Sequence, residues 1–356
     1  MIRILFVGES WFGSCARTLK EAIARHAEVE LDEVSEDHFA PRHRAKWLRG
    51  LHRLLRPFYR KELYRQVRYR LAVFKPDIVM TYKGFSLEAD FLRQLGSLGV
   101  KTVNVYPDCS PHGHGEVHRK AVGTYDLVIS TKPFHCDGWR SIYGYTNACE
   151  FVPQGYDPAL HLVPTPPTDQ PFDISMVATW RPEYGDFMKH LAVLLEGSGL
   201  KVAVGGPGWP QHRNEYPTDW VFGGELQGRS YIEWLRQGKI CIALLNPEIV
   251  INGARQPGDQ DTTRTYELAA AHCFFIHRRT DFVKTLYNET DEVPMFDDPE
   301  ELAEKIKYFM ARPQERARMA EQAHRRAVPS YSIDSRAGEI LDILTAWSGG
   351  ARATPS

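Results

Sequence analysis

Apolar residues fall in short runs along the chain, and stretches of helical period separate them. The first run, Ile2–Val7, is rich in β-branched residues and is stopped by Gly8; an amphipathic stretch from Ala16 to Arg25 follows. Further strand-sized runs lie at Asp77–Thr81, Lys101–Tyr106 and Leu127–Ser130. Between them come a long helical pattern from Trp47 to Phe74 and a shorter one from Leu87 to Leu98. Strands that alternate with helices pair in parallel, and the crossover helices cover both faces of the sheet. The pattern breaks at Val152-Pro153-Gln154-Gly155, which leads into Pro158, Pro164, Pro166 and Pro167. Proline at this density predicts a stiff, extended connection, not a helix or a central strand. The alternation then restarts, with strands at Ile174–Ala178, Lys201–Val204, Ile240–Leu245 and Cys273–His277. Helical patterns occupy Gly185–Leu195, Thr263–Ala271, Glu300–Met310 and Gln314–Arg326.

The expected fold is therefore α/β, with two Rossmann-like domains facing across a cleft. The boundaries are 1–160 for the N-terminal domain and 170–330 for the C-terminal domain. A helix over 331–348 is expected to pack back towards the N-terminal domain, and 349–356 to be a disordered tail. A length of 356 residues suits two domains. Open parallel sheets bind ligands at the carboxyl ends of their strands, so the cleft is the expected site, though this gives a place and not a chemistry. The six cysteines form no Cys-x-x-Cys pair, which predicts reduced thiols and a cytoplasmic protein. No apolar run approaches the roughly 20 residues that span a bilayer, and Gly8 comes too early for the apolar core of a signal peptide.

The segment from Asp259 to Ala271 carries the most chemistry. A loop rich in Thr and Asp feeds a helix whose first N–H groups and dipole favour an anion. Arg264 adds a fixed cation for a phosphate. Glu267 lies about one turn on, where a carboxylate can accept both hydroxyls of a ribose. An ordinary N-terminal helix turn, with Glu favoured by the dipole, would show the same letters. Asp259-x-Asp261 matches a metal-carrying pair in letters, but it sits in a polar loop without the flanking apolar strand, and no metal is expected. Gly205-Gly206-Pro207-Gly208 follows a strand; Gly206 is a candidate for close approach of a ligand, with a plain turn as the alternative.

These residues resemble the glycosyltransferase group-1 family, especially its branch like the spore-maturation protein CgeB. The matching series is Thr263-Arg264-Thr265-Tyr266-Glu267-Leu268-Ala269, then Asp281-Phe282-Val283-Lys284-Thr285-Leu286-Tyr287 and Phe296-Asp297-Asp298-Pro299-Glu300-Glu301-Leu302. Ala311-Arg312-Pro313-Gln314-Glu315-Arg316 and Tyr331-Ser332 complete it, so the resemblance covers roughly Asp173 to Leu344. It implies a GT-B fold and a nucleotide-diphosphate sugar as donor substrate, held mainly by the second domain with no cofactor. It also implies that Glu267 holds the ribose and that Asp259, eight positions earlier, meets the donor sugar. Asp259 is one methylene shorter than the family's usual Glu. Arg181 matches the family's diphosphate-binding Arg. The usual Lys is missing, since Gly185 and Asp186 occupy that region, and Arg264 is expected to supply the charge. Thr265 joins the donor-binding set. The Asp259/Glu267 spacing favours retention of anomeric configuration. A nucleotide-sugar epimerase or hydrolase on the same fold, or a catalytically degenerate GT-B binding module, are the alternatives.

Two segments of the first half add candidates. Gly8-Glu9-Ser10-Trp11-Phe12-Gly13-Ser14 is not a dinucleotide fingerprint, but Gly13 and Ser14 at a helix start suit a donor diphosphate or the acceptor, with a simple tight turn as the alternative. Tyr106 to Gly115 holds Asp108, His112 and His114, candidates for acid–base work on a glycan, lipid-linked or other hydroxyl acceptor. Lys83-Gly84 is a further candidate at the cleft edge.

Charge alters this picture at one place. The net charge is −1, yet Arg42 to Arg70 holds eleven Lys or Arg and a single acidic residue, Glu62. Its apolar residues recur at helical spacing and predict an amphipathic helix with a basic face. That face predicts contact with an anionic glycan or membrane, hence a peripheral place at the inner membrane face. Nucleic acid is not expected, because no recognition motif is present.

Overall fold

The computed structural model of the chain describes residues 1–39, 46–251 and 253–350. It divides into two compact units. Unit 1 contains the described residues of Met1–Pro153, Val250–Pro257 and Asp334–Ser356; unit 2 contains Gln154–Ile249 and Gly258–Ile333.

In unit 1 six strands form one sheet: β1 (Ile2–Gly8), β2 (Val29–Ser35), β3 (Ile78–Tyr82), β4 (Lys101–Tyr106), β5 (Leu127–Ser130) and β6 (Ala148–Phe151). Their order is β2-β1-β3-β4-β5-β6, and every pair is parallel. The order reverses at β1, which opens a crevice between the chain ends leaving β1 and β3. Leu5, Val79 and Val128 of the sheet pack with Phe91, Leu95 and Tyr125 in one buried cluster. The edge strands β2 and β6 escape the apolar pattern because each has only one neighbour and stays half exposed. Val-Glu-Leu-Asp-Glu-Val-Ser carries acidic side chains at that edge. Helix Lys46–Phe74 continues through Pro57 and packs on β1 and β2, with Leu63 and Val67 buried. Residues 42–45 of the basic segment lie outside the described residues.

In unit 2 the strands are β7 (Phe172–Val177), β8 (Val202–Gly205), β9 (Val221–Phe222) and β10 (Gly238–Ala243). In chain order a separate two-stranded sheet follows, β11 (Glu248–Ile251) and β12 (Ala254–Pro257), whose residues from Val250 to Pro257 count with unit 1; β13 (Phe275–Arg278) and β14 (Met295–Phe296) are again in unit 2. The main sheet runs β14-β13-β10-β7-β8-β9, all parallel. Its reversal lies between β7 and β10. The segment Phe296–Glu301, quoted above for its family resemblance, is structural here. Asp298 caps helix Pro299–Met310 by accepting the Glu301 N–H at 2.8 Å, and Arg279 binds Glu289 and Glu301.

Two expectations change. The proline-rich connection is not extended throughout: Pro158–His161 forms one helical turn, with Pro158 in the first turn and the Asp157 carboxylate accepting the Ala159 N–H at 2.9 Å. Asp-Pro supplies both a cap and a preset φ, which outweighs the general stiffness of the segment. The last helix, Ile333–Gly350, also runs past residue 348, so the expected disorder from 349 does not hold for its final two residues; 351–356 lie outside the described residues. From Asp334 onward this helix belongs to unit 1, where Arg25 pairs with Asp334 at 2.9 Å and the Lys101 ammonium stands 5.4 Å over the Trp347 ring.

The turn after β8 has a steric cause. Gly206 has φ +123°, and a Cβ there would lie 2.0 Å from the Ala178 carbonyl oxygen. That oxygen accepts the indole N–H of the buried Trp209 at 2.7 Å, so it cannot retreat cheaply. Gly206→Ala is expected to cost about 3 kcal/mol through overpacking and backbone strain, measured as a lower midpoint in urea unfolding.

Candidate active site

Helix Thr263–Ala270 starts where the loop leaving β10 turns back towards β13, beside the reversal point of unit 2. Its start is fixed by a chain of hydrogen bonds. The Thr262 N–H donates to Thr265 Oγ1 at 3.1 Å, and Thr265 Oγ1 lies 2.8 Å from His277 Nε2. His277 Nδ1 lies 2.7 Å from the Arg278 carbonyl, which requires a proton on Nδ1. Nε2 is then the acceptor for the Thr265 hydroxyl. Tyr287 donates to the Thr265 carbonyl at 2.9 Å, and Tyr266 to Asp261 at 2.7 Å. Thr265 is fully buried by this network. The structure therefore gives it a capping role and turns it away from a donor, a correction to the donor-binding set.

Glu267, 7% exposed, follows on the same helix. The Tyr231 hydroxyl donates to its Oε2 at 2.7 Å, and His161 Nε2 stands 3.7 Å from Oε1. Burial and the neighbouring Glu267 charge push the Tyr231 phenol well above its usual range, so it stays a donor. His161 comes from the helical turn inside the proline-rich connection. Neither partner was anticipated from sequence; Asp157-Pro158 was the available signal for the turn. Arg264, three residues before Glu267, donates to the Leu244 carbonyl at 2.9 Å, while its Nε is buried with no partner among the described residues. A guanidinium N–H left in this state suits an anion that completes it.

The other residues expected to meet a donor lie on loops of the same strand ends. Arg181 is the cap position of helix Pro182–Leu194, directly after β7, with an exposed side chain. Asp259 is half buried, its N–H bound to the Asn246 carbonyl at 2.8 Å. Gly206 is accounted for by the turn described above. Gly185 lies under Trp180, and Asp186 is 3.7 Å from Lys189, so neither replaces the missing lysine.

In unit 1 the loop leaving β4 gathers a second cluster. Asp108 Oδ2 is 3.1 Å from His114 Nε2, and Oδ1 is 3.9 Å from the Lys83 ammonium. Burial alone would raise the Asp108 carboxyl; the His114 hydrogen bond and the Lys83, His114 and Lys132 charges outweigh it and hold the group below its usual range. Lys83 sits at φ +65°, a strained position for a residue with a side chain. His112 Nε2, both ring nitrogens of His118 and the Tyr106 hydroxyl are buried without partners among the described residues. Burial and the nearby His114 charge push His118 down to about 4. The loop is pinned from beneath by His135, whose Nε2 lies 2.9 Å from the Cys109 carbonyl, and from above by Ser110, which donates to Gln256 at 2.8 Å. Gly13 and Ser14 form a tight turn: Gly13 has φ +89°, and Ser14 Oγ accepts the Ala16 N–H at 3.2 Å. That capping bond occupies the Ser14 hydroxyl.

The His277 network has a pH signature. Burial first, and then the Arg264 charge, lowers its folded pKa from 6.5 to about 4. Between those values the unfolded chain carries a proton that the folded chain does not, so this stability is full above pH 6.5 and is lost as pH falls towards 4. The slope of melting temperature against pH in this window is expected to be shallower in His277→Gln, by about one proton taken up on unfolding.

Comparison with known proteins bears on the fold. Residues 185–342 match a family model described as glycosyl transferase-like. No curated protein matches the chain significantly in sequence. Among solved structures, sucrose-phosphate synthase from Thermosynechococcus elongatus superposes with a TM-score of 0.66 at 13% identity, covering 98% of this chain and 100% of that one. The Anabaena protein Alr3699/HepE in complex with UDP gives 0.63 at 13% identity, covering 97% and 100%. A glycosyltransferase from Rickettsia africae gives 0.63 at 14% identity, covering 96% and 97%. At these identities the likeness is one of fold: the chain has the GT-B fold, two Rossmann-like domains with parallel sheets, and most of its second domain is similar to the glycosyl transferase-like family.

Proposed function

We propose that the protein is a glycosyltransferase that moves a sugar from a nucleotide-diphosphate donor to a hydroxyl acceptor. The observation that carries this reading is the pairing of two groups one helical turn apart. Glu267 is buried and oriented by Tyr231 and His161, and Arg264 keeps a buried, unpartnered Nε. Glu267 accepts the ribose hydroxyls, and Arg264 and Arg181 hold the diphosphate with the first N–H groups of helix Thr263–Ala270. During transfer the bond from the anomeric carbon to the diphosphate oxygen breaks, and negative charge grows on the leaving group. Fixed cations and helix N–H groups stabilise that charge without rearranging, so the reaction needs no metal. A bond forms to the acceptor oxygen, whose proton passes to the departing diphosphate. The position of Asp259 supports retention, with its carboxylate on the donor sugar. The Asp108–His114 pair, with His112, positions the acceptor hydroxyl, drawn from glycan, lipid-linked or small-molecule acceptors.

A thermal-shift panel of nucleotide diphosphates and nucleotide sugars tests the donor site. One nucleotide is expected to stabilise the wild type, by about 2.7 kcal/mol at a hundred times its dissociation constant. Glu267→Ala is expected to abolish that shift. Arg264→Ala should weaken donor binding about tenfold or more, the loss expected for a charge-assisted hydrogen bond; unchanged affinity would remove Arg264 from the site. Asp108→Asn is expected to lower kcat/KM for acceptor by about 100-fold with donor affinity unchanged, in a coupled assay for released nucleoside diphosphate. Release that proceeds at full rate without acceptor would mark a hydrolase instead, and conversion of the donor to an epimeric nucleotide sugar without net release an epimerase.

A further inference from the structure

The helix Lys46–Phe74 carries a face that the donor and acceptor chemistry does not use. At 100° per residue, Leu63 and Val67 point to one side, and both are buried in unit 1. The opposite side holds Leu54, Phe58, Lys61, Arg65, Tyr69 and Val73. The four apolar members are 76%, 72%, 59% and 62% exposed in the order Leu54, Phe58, Tyr69, Val73. Four large apolar side chains on the outer side of one helix are not isolated surface residues. They form a stripe about 28 Å long at 1.5 Å per residue, with Lys61 and Arg65 at its middle. The helix as a whole holds nine Lys or Arg against one acidic residue, Glu62, which Arg65 binds at 2.7 Å; Arg60 and Arg70 pair with Glu88 and Asp32 of unit 1 and are not counted towards the outer face.

We propose that this face docks on an anionic lipid bilayer, with Phe58 and Tyr69 entering the interface and the cations meeting lipid phosphates. Two features together select this partner. Cations alone would serve any polyanion, including a soluble glycan. Leu54 and Val73, however, gain nothing from a polyanion and gain from leaving water at the boundary between headgroups and acyl chains. An interfacial helix needs this combination: an apolar stripe, basic residues near it and few acids. It also needs support from behind, which Leu63 and Val67 supply by seating the helix on β1 and β2. No helix among the described residues is long and apolar enough to cross a membrane, so the contact proposed is with the surface alone. The proposal stands independently of the donor chemistry.

Co-flotation of the full chain with vesicles of phosphatidylglycerol and phosphatidylcholine, against phosphatidylcholine alone, tests it at low and high salt. Binding is expected on the anionic vesicles only and should weaken with salt, because exposed charges are screened. Phe58→Ser with Tyr69→Ser is expected to lower the partition coefficient about tenfold or more. Lys61→Glu with Arg65→Glu should abolish binding at low salt. Both pairs are exposed, so circular dichroism and melting temperature should match the wild type. Absence of binding to anionic vesicles would overturn the proposal. So would binding that Phe58→Ser with Tyr69→Ser leaves unchanged, since that would mark a purely ionic site for a soluble polyanion. A dimer in solution that the same pair of changes converts to monomer would overturn it too, by showing the face to be covered by a second copy.

Discussion

The burial of helix Thr263–Ala270 on almost every side is the constraint from which the candidate site around Glu267 follows. Six consecutive residues, Thr265 to Ala270, are buried, and one of them is a glutamate. An acidic group in that position is costly unless its oxygens are met. Tyr231 and His161 meet them, from a helix and from the connecting segment respectively. The result is a carboxylate with one fixed orientation, held by groups that can exchange a contact for a ligand hydroxyl. The threonine, histidine and carbonyl beneath it fix the helix start, so the geometry above is inherited from the core and not from the loop.

Much of the fold was legible in the sequence. Lys101–Tyr106 and Leu127–Ser130 form strands at the expected bounds, and the break near Pro153 coincides with the passage between units. Buried parallel strands read as continuous apolar runs, which is why they are easy to find. The edge strand Val29–Ser35 was not, because three of its seven residues are acidic. The helical turn Pro158–His161 was hidden by the same prolines that announced a connector. Candidate site residues were legible where side-chain type matters, as with Glu267 and Arg264. They were not where partnership matters. Thr265 has the right chemistry for a ligand and the wrong direction, because His277, twelve residues on, takes its hydroxyl. Tyr231 lies thirty-six residues before Glu267, and no local pattern links the two.

Five histidines, His112, His114, His118, His135 and His277, fall into two kinds. His135 and His277 are buried between one hydroxyl and one carbonyl, an arrangement that needs a neutral ring, and burial pushes both down to about 4. They are structural pins. His114 instead faces the Asp108 carboxyl, and His112 and His118 keep buried nitrogens without partners among the described residues. Histidine content alone would have pooled these groups; only the partner of each ring nitrogen separates scaffold from candidate chemistry.

The order in which the chain visits its two units has a consequence for its modularity. Unit 1 is assembled from three stretches of sequence, the last of them the final helix. A gene fragment ending at the proline-rich connector would encode every strand of the first sheet yet omit Asp334, the partner of Arg25, Trp347 beneath Lys101, and Gln256, which steadies the Asp108 loop. Recombination that exchanges the whole of unit 2 must therefore bring, or match, a C-terminal helix that fits the unit 1 it joins. The two halves are separate in their cores but not in their inheritance.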